Sequence, residues 1–211
     1  MKSNPFTGRY LFHLHTTYTD GHVPVQAYFN LAVSKGLDRL IFLEHIRAAP
    51  RYDVAQFIAE VRGCAAATGV EALVGFEAKV LPGGGLDISP DHLAAADVVG
   101  IAEHGFPADF DLWRTAVRQA LDTCGRGNKP AVWVHPGLWL KKHWLLAAQE
   151  QEYRALLRHA QDAGVLVEVN RRYGLLPAHL LGDVAPGALV RGADAHRMEE
   201  AEAAAAEMSG N

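Results

Sequence analysis

Seven short apolar runs, separated by stretches with helical punctuation, limit most sharply the folds open to this chain. They are Tyr10–His15, Arg39–Glu44, Ala72–Glu77, Val98–Ala102, Ala131–His135, Leu166–Asn170 and Leu189–Ala193. Most are β-branched or apolar almost throughout, as parallel strands covered on both faces must be. Between them lie helical segments. Pro24–Lys35 opens on proline and closes at Gly36, and Asp53–Thr68 has an aspartate cap and ends at Gly69. Ser89-Pro90 starts a short helix reaching about Ala96. Asp109–Cys124 is closed by Gly125, Glu150–Ala163 by Gly164, and Pro177–Leu181 makes one or two turns. An alanine-rich helix from about Met198 to Met208 ends the chain, frayed by Ser209-Gly210. Strands alternating with helices specify a parallel sheet, and both an open doubly wound sheet and a closed barrel satisfy that pattern.

At 211 residues the chain fits one domain, 1–211, with a substantial core. No run approaches the roughly 18 apolar residues of a membrane span. Met1-Lys2-Ser3-Asn4-Pro5 leads into no apolar signal region, so a cytoplasmic location is expected. Cys64 and Cys124 fall in predicted helices, away from metal-ligand spacing, and read as small buried hydrophobes in a reducing compartment. A formal charge of −4 argues against a general nucleic-acid surface. Gly83-Gly84-Gly85 lacks the Lys-Ser/Thr of a phosphate loop and reads as a flexible turn.

Eleven histidines are many for such a chain, and six of them fall at strand ends. The first strand carries His13 and His15, the second ends in His45, the third in Glu77, the fourth in His104, the fifth in His135, and the last in Asp194 and His196. Alternate strand residues share a face, so His13 and His15 are expected to point the same way, as are Asp194 and His196. Asp20 lies in an Asp-Gly turn just beyond the first strand, placed to add a ligand from above. In a parallel barrel all carboxyl ends meet at one rim, so these side chains converge there. His22, His92, His143, His159 and His179 stand outside the pattern, in helices or loops.

On these residues the chain resembles the PHP family, named for polymerase and histidinol phosphatase domains. The opening motif is His13-x-His15-Thr16-x-x-Thr19-Asp20-Gly21, with threonine where serine is commoner. Glu44-His45, Gly75-Phe76-Glu77, His104, Val134-His135-Pro136 and Gly192-Ala193-Asp194-Ala195-His196 follow in order. The resemblance implies an α/β fold, a distorted seven-stranded (β/α)7 TIM-like barrel with a trinuclear metal centre at the C-terminal rim. His13, His15, Glu77 and Asp194 would hold one ion. Glu77 would bridge to a second, also held by His104 and His135, and Asp20, His45 and His196 would hold the third. Glu77, His104, Asp194 and His196 count as candidate catalytic residues as well. Imidazole and carboxylate ligands without thiolate suit Zn, Mn or Fe better than Ca or Mg. Three divalent ions against three carboxylates leave a cationic pocket suited to phosphate. Two ions roughly 3.5–4 Å apart can hold a bridging hydroxide for in-line attack on phosphorus.

Hydrolysis of a small phosphate ester, a monoester as in histidinol phosphatases, is therefore the expected activity. The expected partner is a small phosphorylated substrate rather than nucleic acid or a membrane. Arg47, Lys79, Arg171 and Arg172 are candidate phosphate anchors, arginine being able to hold phosphate through two parallel bonds. An amidohydrolase-like C–N hydrolase is an alternative, with Lys79 cast as the metal bridge. Glu77, Asp20, His45 and His196 argue against it. A 3′-5′ exonuclease would want a basic, aromatic channel that this acidic chain does not show. A metal-bound interaction domain without activity would be expected to have lost some of the ligands.

Overall fold

All seven runs form strands, and each pairs in parallel with the next in chain order. The strands are β1 (Tyr10–Leu14), β2 (Arg39–Ile46), β3 (Glu71–Lys79), β4 (Val98–Ala102), β5 (Ala131–Trp133), β6 (Leu166–Asn170) and β7 (Leu189–Gly192). The computed structural model describes residues 5–209, so Met1–Asn4 and Gly210, on which the reading of the termini partly rested, lie outside the described residues. The segment after β7 returns to β1. Ala193 N–H donates to the Phe12 carbonyl at 2.9 Å, Ala195 N–H to that of His13 at 2.9 Å, and His15 N–H to that of Ala195 at 3.0 Å. This closure at the carboxyl ends makes the sheet a nearly closed barrel and excludes the open doubly wound alternative. At the opposite end the Tyr10 hydroxyl, not a strand carbonyl, accepts the Arg191 N–H, at 3.2 Å.

Helices cover the outside: α1 (Val25–Lys35), α2 (Val54–Thr68), α3 (Pro90–Ala95), α4 (Phe110–Arg126), α5 (Leu138–Lys142), α6 (Glu150–Asp162) and α7 (Met198–Ser209). The predicted Asp53 cap forms, accepting from Gln56 N–H at 2.9 Å, and Asp109 caps α4 in the same way, accepting from Leu112 N–H at 2.9 Å. Each is worth about 1 kcal/mol. Phe6, Tyr10, Phe12, Ile41, Leu43, Val132, Val134 and Val190 fill the barrel interior. Leu40, Phe42, Val74 and Phe76 face outward and pack with residues of α1 and α2, and Ile101, Trp133 and Val167 pack with those of α4 and α6. No helix among the described residues is long and apolar enough to cross a membrane.

Two expectations need correction. Gly125 does not stop α4, which continues to Arg126 and is capped by Gly127. A glycine in a helix reads as a terminus, but here it serves close approach: a Cβ on Gly125 would stand 2.1 Å from the Ala163 carbonyl oxygen. The second correction concerns β1. Tyr10 and Phe12 point into the barrel and Leu11 and Leu14 toward the helices. Plain alternation would therefore turn His13 outward with Leu11. Instead Phe12 pairs with Ile41 and Leu14 with Phe42, leaving His13 as an extra residue in a bulge, with φ 68°. The bulge, rather than alternation, is what brings both histidines to the site. Short α5 and the 3-10 turns Ala178–Asp183 and Pro186–Ala188 complete the fold.

Candidate metal centre

The nine side chains singled out by the sequence converge at the carboxyl rim, and Glu77 lies at their centre. β3 carries Glu77 inward, next to His45 of β2, its partner in the sheet register. Of the remaining candidates, His13 lies in the bulge of β1, Asp20 comes from the loop after β1, and the others follow strand ends. Glu77 Oε2 lies 3.1 Å from His45 Nδ1, 3.4 Å from His15 Nε2 and 3.5 Å from His13 Nε2. Its Oε1 lies 2.6 Å from His135 Nε2 and 3.2 Å from His104 Nδ1. Asp20 touches His45 Nε2 at 3.3 Å and His196 Nε2 at 3.4 Å, and Asp194 lies 3.4 Å from His196 Nδ1.

Electrostatics follow from this crowding. Burial alone would push the Glu77 carboxyl up, but the charges of His45 and His135 and the close approach of His104 and His13 hold it well below the usual range. Burial works against charge on His45, yet Glu77 and Asp20 raise it to about 10. His13 and His135 are raised in the same way against their burial, chiefly by Glu168 and by Glu77 respectively. His15 goes the other way, pushed well down by burial and by the charge of His13.

Such a cluster gathers protons onto imidazoles that face carboxylates, and divalent cations can replace those protons. Four groups of three or four ligand atoms lie within 4.8 Å of one another. They are His15, Asp20, His45 and His196; His13, His135 and Asp194; His13, His15 and Glu77; and His45, Glu77 and His104. His15 thus also reaches the Asp20 group, and His135 the pair His13 and Asp194. His13 Nε2, both His15 ring nitrogens and His135 Nδ1 are buried without a hydrogen-bond partner. An unpaired buried polar atom costs about 1–3 kcal/mol, and a metal-facing lone pair accounts for one such nitrogen in each ring. The residues fit a divalent metal centre.

Three further buried glutamates hold the loops that carry the ligands. Glu44, next to His45, accepts from Thr16 N–H and the Thr19 hydroxyl in the loop leading to Asp20. Glu103, next to His104, accepts from Trp113 Nε1–H and from Gly137 N–H, just past His135. Burial pushes both carboxyls up to about 7, against these hydrogen bonds. Glu168, inside β6, accepts from His13 Nδ1 at 2.6 Å and from His135 N–H at 2.5 Å. Sequence reasoning missed Glu103, although a second Glu-His dipeptide, Glu103-His104, repeats the pattern of Glu44-His45.

A cleft of about 430 Å³ opens over the cluster, lined also by Thr19, Arg47, Leu138, Lys142 and Tyr173. Of the four candidate anchors, Arg47 lines it, 3.4 Å from Asp87. Lys79 lies by Gly105, outside the lining. Arg171 turns away to pair with Glu207 of α7. Arg172 sits behind the cluster, 2.9 Å from Glu200 and 3.1 Å from His196 Nδ1. Lys142 was missed because α5 itself was missed. His159 pairs with Asp122, His179 with Glu150 and His92 with Ser89, and His143 packs on Trp139, all apart from the cluster.

Among solved structures, the fold is similar to that of histidinol phosphate phosphatase from Lactococcus lactis, complexed with Zn, L-histidinol and phosphate. The TM-score is 0.60 at 12% identity, over 95% of this chain and 94% of that one. A Listeria monocytogenes protein proposed to be a histidinol phosphatase gives 0.62 at 13% identity, over 91% and 97%. A two-domain protein from Bacteroides vulgatus containing a predicted PHP-like metal-dependent phosphoesterase gives 0.51 at 20%, over 92% of this chain and 54% of that one. At such identities these are likenesses of fold. No curated protein matches the sequence. The sequence profile of the PHP domain matches residues 12–172, well over half of the chain, and the chain therefore belongs to the PHP domain family.

Proposed function

We propose that this protein is a metal-dependent phosphoesterase acting, as one catalytic domain, on a phosphate monoester of a small metabolite. The observation that carries the reading is Glu77, whose two oxygens face five imidazoles, several with buried, unpaired ring nitrogens. His13, His15, Asp20, His45, Glu77, His104, His135, Asp194 and His196 would hold three divalent ions, Zn, Mn or Fe, with Glu77 shared. Bound there, the ions would supply positive charge for a phosphoryl group and activation of the attacking water.

The chain's own residues do the rest. Glu77, His104, Asp194 and His196 border both the ligand groups and the cleft, and are the proposed catalytic set. Arg47, half exposed at the mouth, can close on a phosphoryl oxygen from the loop beyond His45. Lys142 adds a second cation to the lining, and Leu138 and Tyr173 offer apolar and aromatic surface to a leaving group. The dimensions of the cleft favour a small ester over a polymer.

The test is a panel of phosphate mono- and diesters, L-histidinol phosphate included because the Lactococcus structure holds L-histidinol and phosphate. The protein is loaded in turn with Zn, Mn and Fe. Metal-dependent release of phosphate from at least one monoester, lost in Glu77→Gln, is expected. A fully metal-loaded protein that turns over no ester would refute the reading.

A further inference from the structure

Among the described residues, four that are not glycine have positive φ, and three of them belong to the site. They are His13 (φ 68°), His135 (φ 32°) and Asp194 (φ 51°). The same three, from the ends of β1, β5 and β7, form one of the groups whose ligand atoms lie within 4.8 Å of one another. One fully buried side chain, Glu168, serves two of them directly and the third through Asn170. Glu168 Oε1 accepts from His13 Nδ1 at 2.6 Å, and its Oε2 accepts from His135 N–H at 2.5 Å. Oε2 also accepts from Asn170 Nδ2 at 3.0 Å, and the same amide donates to Asp194 Oδ2 at 3.0 Å. β7 leaves room for this carboxylate only because residue 192 is glycine: a Cβ there would stand 1.7 Å from Glu168 Oε1.

The hydrogen-bond chemistry sets the state of His13. An ionised carboxylate only accepts, so the His13 nitrogen facing Glu168 must carry the proton. In the neutral ring the lone pair is then on Nε2, the atom that faces Glu77 and has no hydrogen-bond partner. Glu168 is not itself available as a ligand, since both of its oxygens are engaged behind His13 and His135.

We propose that Glu168 is the positioning residue of this inner subsite, presenting His13 Nε2 to an ion while holding His135 and Asp194 in their left-handed backbone. The proposal rests on the metal-dependent reading above. It predicts a selective effect. Glu168→Gln cannot accept at both ends, and should weaken binding of one ion about 10- to 100-fold. The group of Asp20, His45 and His196 should keep its ion. Gly192→Ala should do the same by displacing an unaltered carboxylate.

The experiment is titration of the purified protein with Zn²⁺ against a competing chelator, with circular dichroism to confirm the fold of each variant. One weakened ion out of those bound, in both variants, is the expected result. A parent protein that takes up no zinc overturns the functional reading. A parent that binds zinc tightly, beside folded variants that bind it equally well, overturns this inference alone. Should the variants fail to fold, ¹⁵N NMR of the histidine-labelled, zinc-loaded parent decides. Zinc on His13 Nε2, with a downfield hydrogen-bonded proton on Nδ1, is expected, and zinc on Nδ1 overturns the proposal.

Discussion

The inner and outer halves of the site are built on different principles. His13, His135 and Asp194 are at most 3% exposed, sit in left-handed backbone and are backed by Glu168, Asp194 through Asn170. Each such backbone conformation costs roughly 1–3 kcal/mol and persists only where its surroundings over-determine it. Asp20, His45 and His196 have ordinary backbone, and the Asp20 side chain is 57% exposed on a loop. That loop is tied down through Glu44, which takes Thr16 and Thr19. The inner half is thus held at the backbone of its ligands, while in the outer half the anchorage ends at Thr19 and the exposed Asp20 side chain can adjust to what the cleft holds. Rigidity is spent where ligands come from strand ends, and adaptability is kept where one comes from a loop.

Glu77 joins the halves, so its loss should have the largest effect. Glu77→Gln removes the counter-charge of five imidazoles at once. Elemental analysis after metal loading should show at least two ions lost, and hydrolysis should fall to the metal-free background. The metal-free variant should also melt earlier, since breaking a buried charge pair typically costs about 3–5 kcal/mol. Loss of only one ion would show that the halves do not share this carboxylate.

Asp20→Asn comes next and should separate the halves. The Asp20 carboxylate meets His45 and His196 and takes a 3.4 Å bond from the Thr19 hydroxyl, and it is largely exposed. One ion should be lost and the inner ones kept, with stability changed by less than about 1 kcal/mol. If the inner ions leave too, the halves are not independent.

Some of this contrast was legible in the sequence. His45 and Glu77 could be placed because each closes an unbroken apolar run, and parallel strands end at one rim. The bulge at His13 could not, because an extra residue changes which face a side chain takes without changing the composition of the run. Glu168 and Asn170, two apart at the end of the sixth apolar run, share a face by strand alternation. The Glu168 partner His13 is 155 positions away, however, and no local pattern specifies that pairing. α5 has only five residues and no side-chain cap, so periodicity had too little length to show it, and Lys142 went with it. Barrel closure was carried by the family resemblance and not by the alternation of strands and helices.

A pH series tests the proton side of the comparison. Without metal, His45 keeps its proton up to about pH 10, against an ordinary value of 6.5. A raised imidazole pKa contributes stability that is fully present below the unfolded value and is lost as pH rises through the folded one. The melting temperature of metal-free protein should therefore fall between about pH 6.5 and about pH 10. His13 and His135, also raised, act with the same sign. His15, held neutral, opposes them only in acid, where the unfolded chain would protonate it. A cation must displace these protons, so metal affinity should rise over the window in which metal-free stability falls. Melts of metal-free and zinc-loaded protein that run parallel across it would contradict this.

The smallest expected effects concern the anchors, where the outer half meets solvent. Arg47 lines the cleft and its 3.4 Å contact with Asp87 is long and half exposed, so the guanidinium is free to shift toward a phosphoryl oxygen. A charge-assisted bond of that kind is worth roughly 1.5–3 kcal/mol. Arg47→Ala should lower kcat/KM about ten- to a hundredfold with metal content unchanged. Arg47→Lys should recover part of that, since a point charge replaces a planar fork. Arg171→Ala is the control on the far side of the barrel seam. Its partner is Glu207, both side chains are exposed, and an exposed pair contributes no more than about 1 kcal/mol. Kinetics of Arg171→Ala should match the parent. If instead Arg171→Ala loses activity and Arg47→Ala does not, phosphate is held from the β6 side, and the outer half is not the adaptable one.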